Sequence, residues 1–201
     1  MIATPRGSAP ARRSDAERNR ARILEAARST FTDPVLGPSA AAGTEHSMAE
    51  VARRAGVGRA TLYRNFPGRR ELLEALFTDE VDAVCAAALA PADGGCGAAL
   101  VAWLRRFAAF LASKHMVVAE LLEHTDAADP VFGSSRQRVL AAGEPLLRAA
   151  QAEGEVRTDV SLDQALDLVL AVVRLDRPEQ VEAVLRVALD GLRCPGTVPG
   201  H

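Results

Sequence analysis

Apolar residues in this chain recur at spacings of three and four, and no segment alternates with a period of two over a useful length. That spacing lines side chains along one stripe of an α-helix and argues against half-buried strands. Ile23, Leu24, Ala27 and Phe31 make one stripe, and Met48, Val51, Ala52 and Ala55 a second. Leu72, Leu73, Leu76, Phe77, Val81 and Val84 make a third. Leu100, Trp103, Leu104, Phe107 and Leu111 mark a helix over 98–113, with a separate one expected over 117–125. Near the end of the chain, Leu162, Leu166, Val169, Leu170 and Val173 precede Val181, Val184, Leu185, Ala188, Leu189 and Leu192. The 39 alanines and the near-exclusive use of Arg, with Lys114 the sole lysine, push the same way. Both residues head the helix-propensity ranking, although biased base composition of the coding DNA would raise the same two. The expected fold is all-α.

Caps and breakers punctuate the stripes. Ser14-Asp15-Ala16-Glu17, Ser47-Met48-Ala49-Glu50 and Ser161-Leu162-Asp163-Gln164 read as capping boxes. Asp176-Arg177-Pro178-Glu179 reads as a fourth start, with Pro early in the first turn. Asp33-Pro34 ends the first helix, and residues 32–46, rich in Pro, Gly, Ala and Ser, read as a loop. Gly56-Val57-Gly58 breaks the second helix, Pro67-Gly68 ends the short segment after it, and 91–97 is the strongest linker in the body. Residues 126–130 are a further break. Gly143-Glu144-Pro145 should interrupt or kink the helix expected from about Phe132 to Glu153, which Gly154 closes.

A length of 201 residues suits one domain or two small ones, and 48% hydrophobic residues with a net charge of −2 exclude intrinsic disorder. The uncharged apolar runs, such as 169–173, are far short of a membrane span. The Arg-rich first twenty residues carry no apolar segment of the kind a secretory signal needs. Cys85, Cys96 and Cys194 are odd in number and lack a Cys-x-x-Cys pair, so neither a disulfide framework nor a zinc cluster is expected. A cytoplasmic protein without a cofactor is expected, with 1–14 a disordered basic arm. Charge is unevenly spread. Residues 1–70 hold 13 Arg against 6 Asp and Glu, a net of +7, and residues 71–201 hold 11 Lys and Arg against 20 Asp and Glu, a net of −9. A basic end on an acidic body suggests a phosphate-bearing partner that meets one end only.

Residues 47–66, SMAEVARRAGVGRATLYRNF, bring the helical pattern and the charge together. A short apolar-faced helix, a glycine-bearing turn and a second helix with outward polar side chains have the physics of a helix-turn-helix. Leu62 and Phe66 are expected in the core, with Arg59, Thr61, Arg64 and Asn65 facing outward. Ser47 stands where a hydroxyl and helix amides can bind a phosphate.

These residues resemble the TetR family of bacterial transcription regulators. Ala52, Ala55-Gly56-Val57, Thr61-Leu62-Tyr63 and Phe66-Pro67 fall at the positions of the family pattern, and Arg22-Ile23-Leu24-Glu25-Ala26-Ala27 with Phe31 resembles its first helix. Departures are Gly58 for the usual Ser, Asn65 for a common His, Gly68-Arg69 for Ser-Lys, and a longer 32–46 loop. The resemblance implies a helix-turn-helix DNA-binding domain over 15–80 and a larger helical effector-binding and dimerisation domain over 81–195. It implies that Arg59, Thr61, Arg64 and Asn65 meet base edges or the groove, and that Ser47, Tyr63 and Arg69 meet phosphate. The same arginines would also serve as a solvated helix face, and Tyr63 as a core residue with an exposed hydroxyl.

In the body, Trp103, Phe107, Phe110, Met116, Leu121, Leu122 and Phe132 are material for an apolar cavity, or for ordinary core. Glu120 and His124, one turn apart, suit a surface ion pair better than a metal, since no third ligand is visible. No catalytic set is present, so no enzyme is expected. The resemblance implies a homodimeric regulator of an operator in double-stranded DNA, a repressor released by a small apolar effector, with no membrane partner. The alternatives are a constitutive or architectural DNA binder without an effector, and a small helical enzyme or interaction module.

Overall fold

A computed structural model describes residues 9–32, 44–90, 94–123 and 130–194, and the side chains of 15–31, 48–90, 94–112 and 132–194. The elements among the described residues are α1 (Ala9–Thr32), α2 (Thr44–Ala55), α3 (Arg59–Asn65), α4 (Arg69–Ala87), α5 (Cys96–Glu123), α6 (Pro130–Ala152), α7 (Leu162–Val173) and α8 (Pro178–Asp190). The single extended pairing among them is an isolated antiparallel bridge between Val156 and Arg193. The fold is all-α, and the chain divides into two compact units between Leu76 and Phe77.

In the N-terminal unit α1 packs on α2, and α2 on α3. The first two stripes are buried as expected, from Ile23, Leu24, Ala27 and Phe31 to Met48, Val51, Ala52 and Ala55. Two starts differ from the sequence reading. α1 begins at Ala9, so Ser14 lies within the helix instead of capping it, and 9–14 belong to α1 and not to an arm. The run Ala9-Pro10-Ala11-Arg12-Arg13 explains this, because proline is compatible with a first turn and its neighbours favour helix. α2 begins at Thr44, three residues before Ser47, which is therefore not its cap. Residues 1–8 and most of the expected loop, 33–43, lie outside the described residues.

In the C-terminal unit α5 packs on α6 and α7, and α7 on α8. α5 is one continuous helix where two were expected, since the intervening Lys114-His115-Met116 contains neither Gly nor Pro. α6 likewise runs through Gly143-Glu144-Pro145 as a single helix, with Pro145 exposed. Gly143 answers to packing, not to a break. The indole of Trp103 lies against it, and a Cβ there would collide with ring atoms Cη2 and Cζ3 and reach 3.0 Å from Leu162 Cδ2. The indole is fixed from its other side, where Nε1 donates to the Val84 carbonyl at 3.0 Å.

Ser161 caps α7 as the sequence indicates: the Gln164 amide donates to its Oγ at 3.3 Å, and its own amide donates to Gln164 Oε1 at 2.9 Å. α8 is capped by Arg177 without a side-chain hydrogen bond, so Asp176 stands one residue too early to serve. Pro178 sets that start. Leu162, Leu166, Val169, Leu185, Leu189 and Leu192 are buried, whereas Leu168, Leu175, Val184 and Val187 are exposed. No helix among the described residues is long and apolar enough to cross a membrane.

Overpacking a filled core costs about 1–3 kcal/mol. Gly143→Ala is therefore expected to lower stability by about that amount in chemical denaturation, even though alanine is the better helix former. An unchanged midpoint would contradict the contact with Trp103.

Candidate nucleic-acid interface

The turn between α2 and α3 depends on Gly56, whose φ of 61° lies in the left-handed region that glycine enters without steric cost. The amides of Gly56 and Val57 return to the carbonyls of Arg53 and Ala52 at 3.1 and 3.0 Å, which ends α2. Gly58 caps α3 with extended backbone and no side-chain bond, as its substitution for Ser implies. Leu62 and Phe66, one turn apart, are 0% and 1% exposed and fix which face of α3 turns inward.

The remaining side chains of α3 sort by exposure. Arg59 and Arg64 are exposed, and Tyr63 is 42% exposed. Arg59 has no partner among the described residues. Arg64 folds back on the helix, with Nε donating to the Ala60 carbonyl at 3.2 Å and Nη2 to Thr61 Oγ1 at 3.1 Å. Thr61 and Asn65 are half-buried and not fully outward, and Asn65 Nδ2 donates to the Thr61 carbonyl at 2.8 Å. Arg69, the first residue of α4, is half-buried with its guanidinium 4.5 Å from the centroid of Phe31. Ser47 lies in the backbone of α2, and its side chain is outside the described residues, as are those of His115, Met116, Glu120, Leu121, Leu122 and His124.

Three arrangements escape the sequence reading. Arg20 on α1 stacks over Phe66 at 4.6 Å, and Arg22 reaches the Gly56 carbonyl at 3.5 Å across 34 positions of sequence. Nothing local signals either contact. The third was legible in its i, i+3 and i, i+4 spacing. Arg53 donates to both Glu50 oxygens at 2.7 and 2.6 Å, and Arg54 Nε to Oε1 at 2.8 Å. These bonds hold the Glu50 carboxyl down to about 2, led by Arg53 and then Arg54, against 4.5 for a free glutamate. Arg53 and Arg54 thereby share one carboxylate on α2, and the exposed Arg59 stands apart from them.

The arrangement presents cations and a phenol on a short helix anchored by two buried side chains. Such a helix fits the major groove of DNA, where Arg can donate two hydrogen bonds to guanine. Residues 40–76 match the family described as bacterial regulatory proteins, tetR family, and residues 95–194 match that described as transcriptional regulator SbtR-like, C-terminal domain. A TetR transcription regulatory protein from Mycobacterium vanbaalenii is 35% identical, with 90% of this chain and 99% of that one covered and a TM-score of 0.70. The TetR transcriptional regulator SCO0520 from Streptomyces coelicolor is 33% identical, with 88% and 99% covered and a TM-score of 0.64. An HTH-type transcriptional regulator of Mycobacterium bovis is 28% identical over 144 residues, which span 69% of this chain and 74% of that protein. These matches define a DNA-binding transcription regulator. The chain belongs to the TetR family.

Because Glu50 is held ionised by partners it has only when folded, its contribution to stability is fully present above 4.5 and is lost as pH falls through about 2. Denaturation of the wild type and of Glu50→Gln is expected to show a gap at pH 7 that closes between pH 4.5 and 2. A gap that does not change with pH would contradict the Arg53 and Arg54 bonds.

Proposed function

We propose that two copies of the chain bind a near-palindromic operator as a homodimer and act as a cytoplasmic repressor, released by a small, largely apolar effector. The exposed Arg59, Tyr63 and Arg64 on an α3 anchored by Leu62 and Phe66 carry this reading. Arg59, Thr61, Arg64 and Asn65 would read base edges, and Ser47, Tyr63 and Arg69 would hold phosphates. The two copies of α3 would enter successive major grooves about 34–36 Å apart.

The C-terminal unit supports the rest. Leu168 and Leu175 in and after α7, with Val184 and Val187 on α8, leave apolar surface exposed, Val187 to 69%. A second copy would cover it in a four-helix interface. Phe77, Phe110 and Phe132 neighbour one another at centroid separations of 5.8 and 5.3 Å, and Phe107 joins Phe110 to Trp103 at 6.2 and 6.4 Å. Phe132 is half-buried and the other rings are buried, so an apolar effector would have to lodge among them. Such a molecule shifts the dimer only by its difference in affinity for the binding and non-binding shapes, and DNA weakens its binding reciprocally. The second reading, constitutive DNA binding without an effector, is favoured by the near-complete burial of Leu100, Trp103 and Leu104.

The test is binding of the purified chain to its own upstream DNA. A bidentate arginine–base contact is worth about 1–3 kcal/mol. Arg59→Ala and Arg64→Ala are each expected to weaken binding by about tenfold or more at fixed salt. Undiminished binding by both variants would contradict the assignment of these contacts.

A further inference from the structure

We propose that Arg20 and Arg22 of α1 form a second phosphate-contacting edge that grips the DNA backbone on both rims of the groove receiving α3. This rests on the DNA-binding reading and adds to it residues that the helix-turn-helix itself does not contain.

The arginines of the N-terminal unit differ in what they touch. Arg18 pairs with Asp15, Arg28 with Glu25 at 2.7 Å, Arg53 and Arg54 with Glu50 at 2.6 and 2.8 Å, and Arg70 with Glu74 at 2.6 Å. Each of these arginines is paired with a carboxylate on its own helix, Arg53 and Arg54 sharing the one of Glu50. Arg20, Arg22, Arg59 and Arg64 have no carboxylate partner among the described residues. Two of the four are on α3, and the other two reach to its two ends. Arg22 lies against the turn that leads into α3, so close that a Cβ on Gly56 would stand 2.7 Å from its Nη2. Arg20 lies over Phe66, the residue that ends α3.

A carboxylate at helical spacing was open to Arg20, whereas the one nearest Arg22 is already held by Arg28. Glu17 is three residues before Arg20 and Glu25 three after Arg22, the spacing at which Arg18 and Arg28 find their partners. Both side chains extend towards α3 instead, to contacts that hold them without cancelling their charge. The Arg20 guanidinium sits over the Phe66 ring, and the residue remains exposed, so the contact does not cancel its charge. The one 3.5 Å approach of Arg22 to a carbonyl leaves most of its five donors uncommitted. A helix in the major groove lies between two phosphate rims, and a guanidinium at each end of α3 suits them. Arginine binds phosphate through paired N–H bonds, and a side chain already held in place loses less freedom on doing so.

The test uses the full chain with two duplexes of equal length: one enriched from random-sequence DNA by the wild type, and one unrelated. Fluorescence anisotropy is followed across a range of salt concentrations. Arg20→Gln and Arg22→Gln are each expected to weaken binding to both duplexes by a similar factor. Each should also reduce the slope of log affinity against log salt by about 1 per bound chain. Arg22→Lys keeps the charge but not the planar fork, and is expected to keep the wild-type slope. The slope does not depend on the fraction of active protein, so a partly unfolded variant still reports. An unchanged slope in both Gln variants, or a loss confined to the enriched duplex, would overturn the phosphate role and leave DNA binding standing. Wild-type protein that binds neither duplex would overturn both.

Discussion

A helix of seven residues has little stability of its own, since isolated helices shorter than about 12–15 residues are marginal in water. α3 keeps its shape because Leu62 and Phe66 are buried, each worth about 1.5–3 kcal/mol on burial. That one constraint also decides what remains outside. With two side chains one turn apart facing inward, Arg59, Tyr63 and Arg64 are left exposed. The left-handed Gly56 then sets the direction in which α3 leaves α2.

Charge in the N-terminal unit follows the same geometry. The net excess of Arg over acidic residues in 1–70 does not spread evenly over the surface. Carboxylates at i, i+3 or i, i+4 neutralise much of it along α1, α2 and the start of α4. Among the described residues, Arg20, Arg22, Arg59 and Arg64 have no carboxylate partner and lie on α3 or against its ends, the distribution a helix facing a polyanion needs. Residues 71–201, by contrast, carry a net charge of −9.

Most of the fold was legible because a helix writes its buried face into the sequence at a spacing of three and four. Leu62 and Phe66 were found in this way, as were Val51, Leu72 and Leu166. The capping box at Ser161 was found because its partner, Gln164, is three residues away. Errors arose where local pattern competes with what precedes it. Ser14 and Ser47 have cap chemistry, yet upstream residues continue the helix, and the same chemistry inside a helix has no cap to make. Gly143 was misread for a different reason. Its role is to admit the ring of Trp103 from another helix, and no spacing within α6 records that. The exposed residues of the site follow from the motif, but Arg20 and Arg22 reach it from α1 through contacts that only the folded chain brings together.

The central claim is that α3 lies in the major groove, and dimethyl sulfate protection reports this directly because it methylates guanine N7 there and adenine N3 in the minor groove. On duplex DNA enriched by the purified chain, guanine N7 should be protected in two clusters about 10–10.5 base pairs apart, centre to centre. Protection confined to adenine N3, or guanine N7 as reactive as in free DNA, would contradict it.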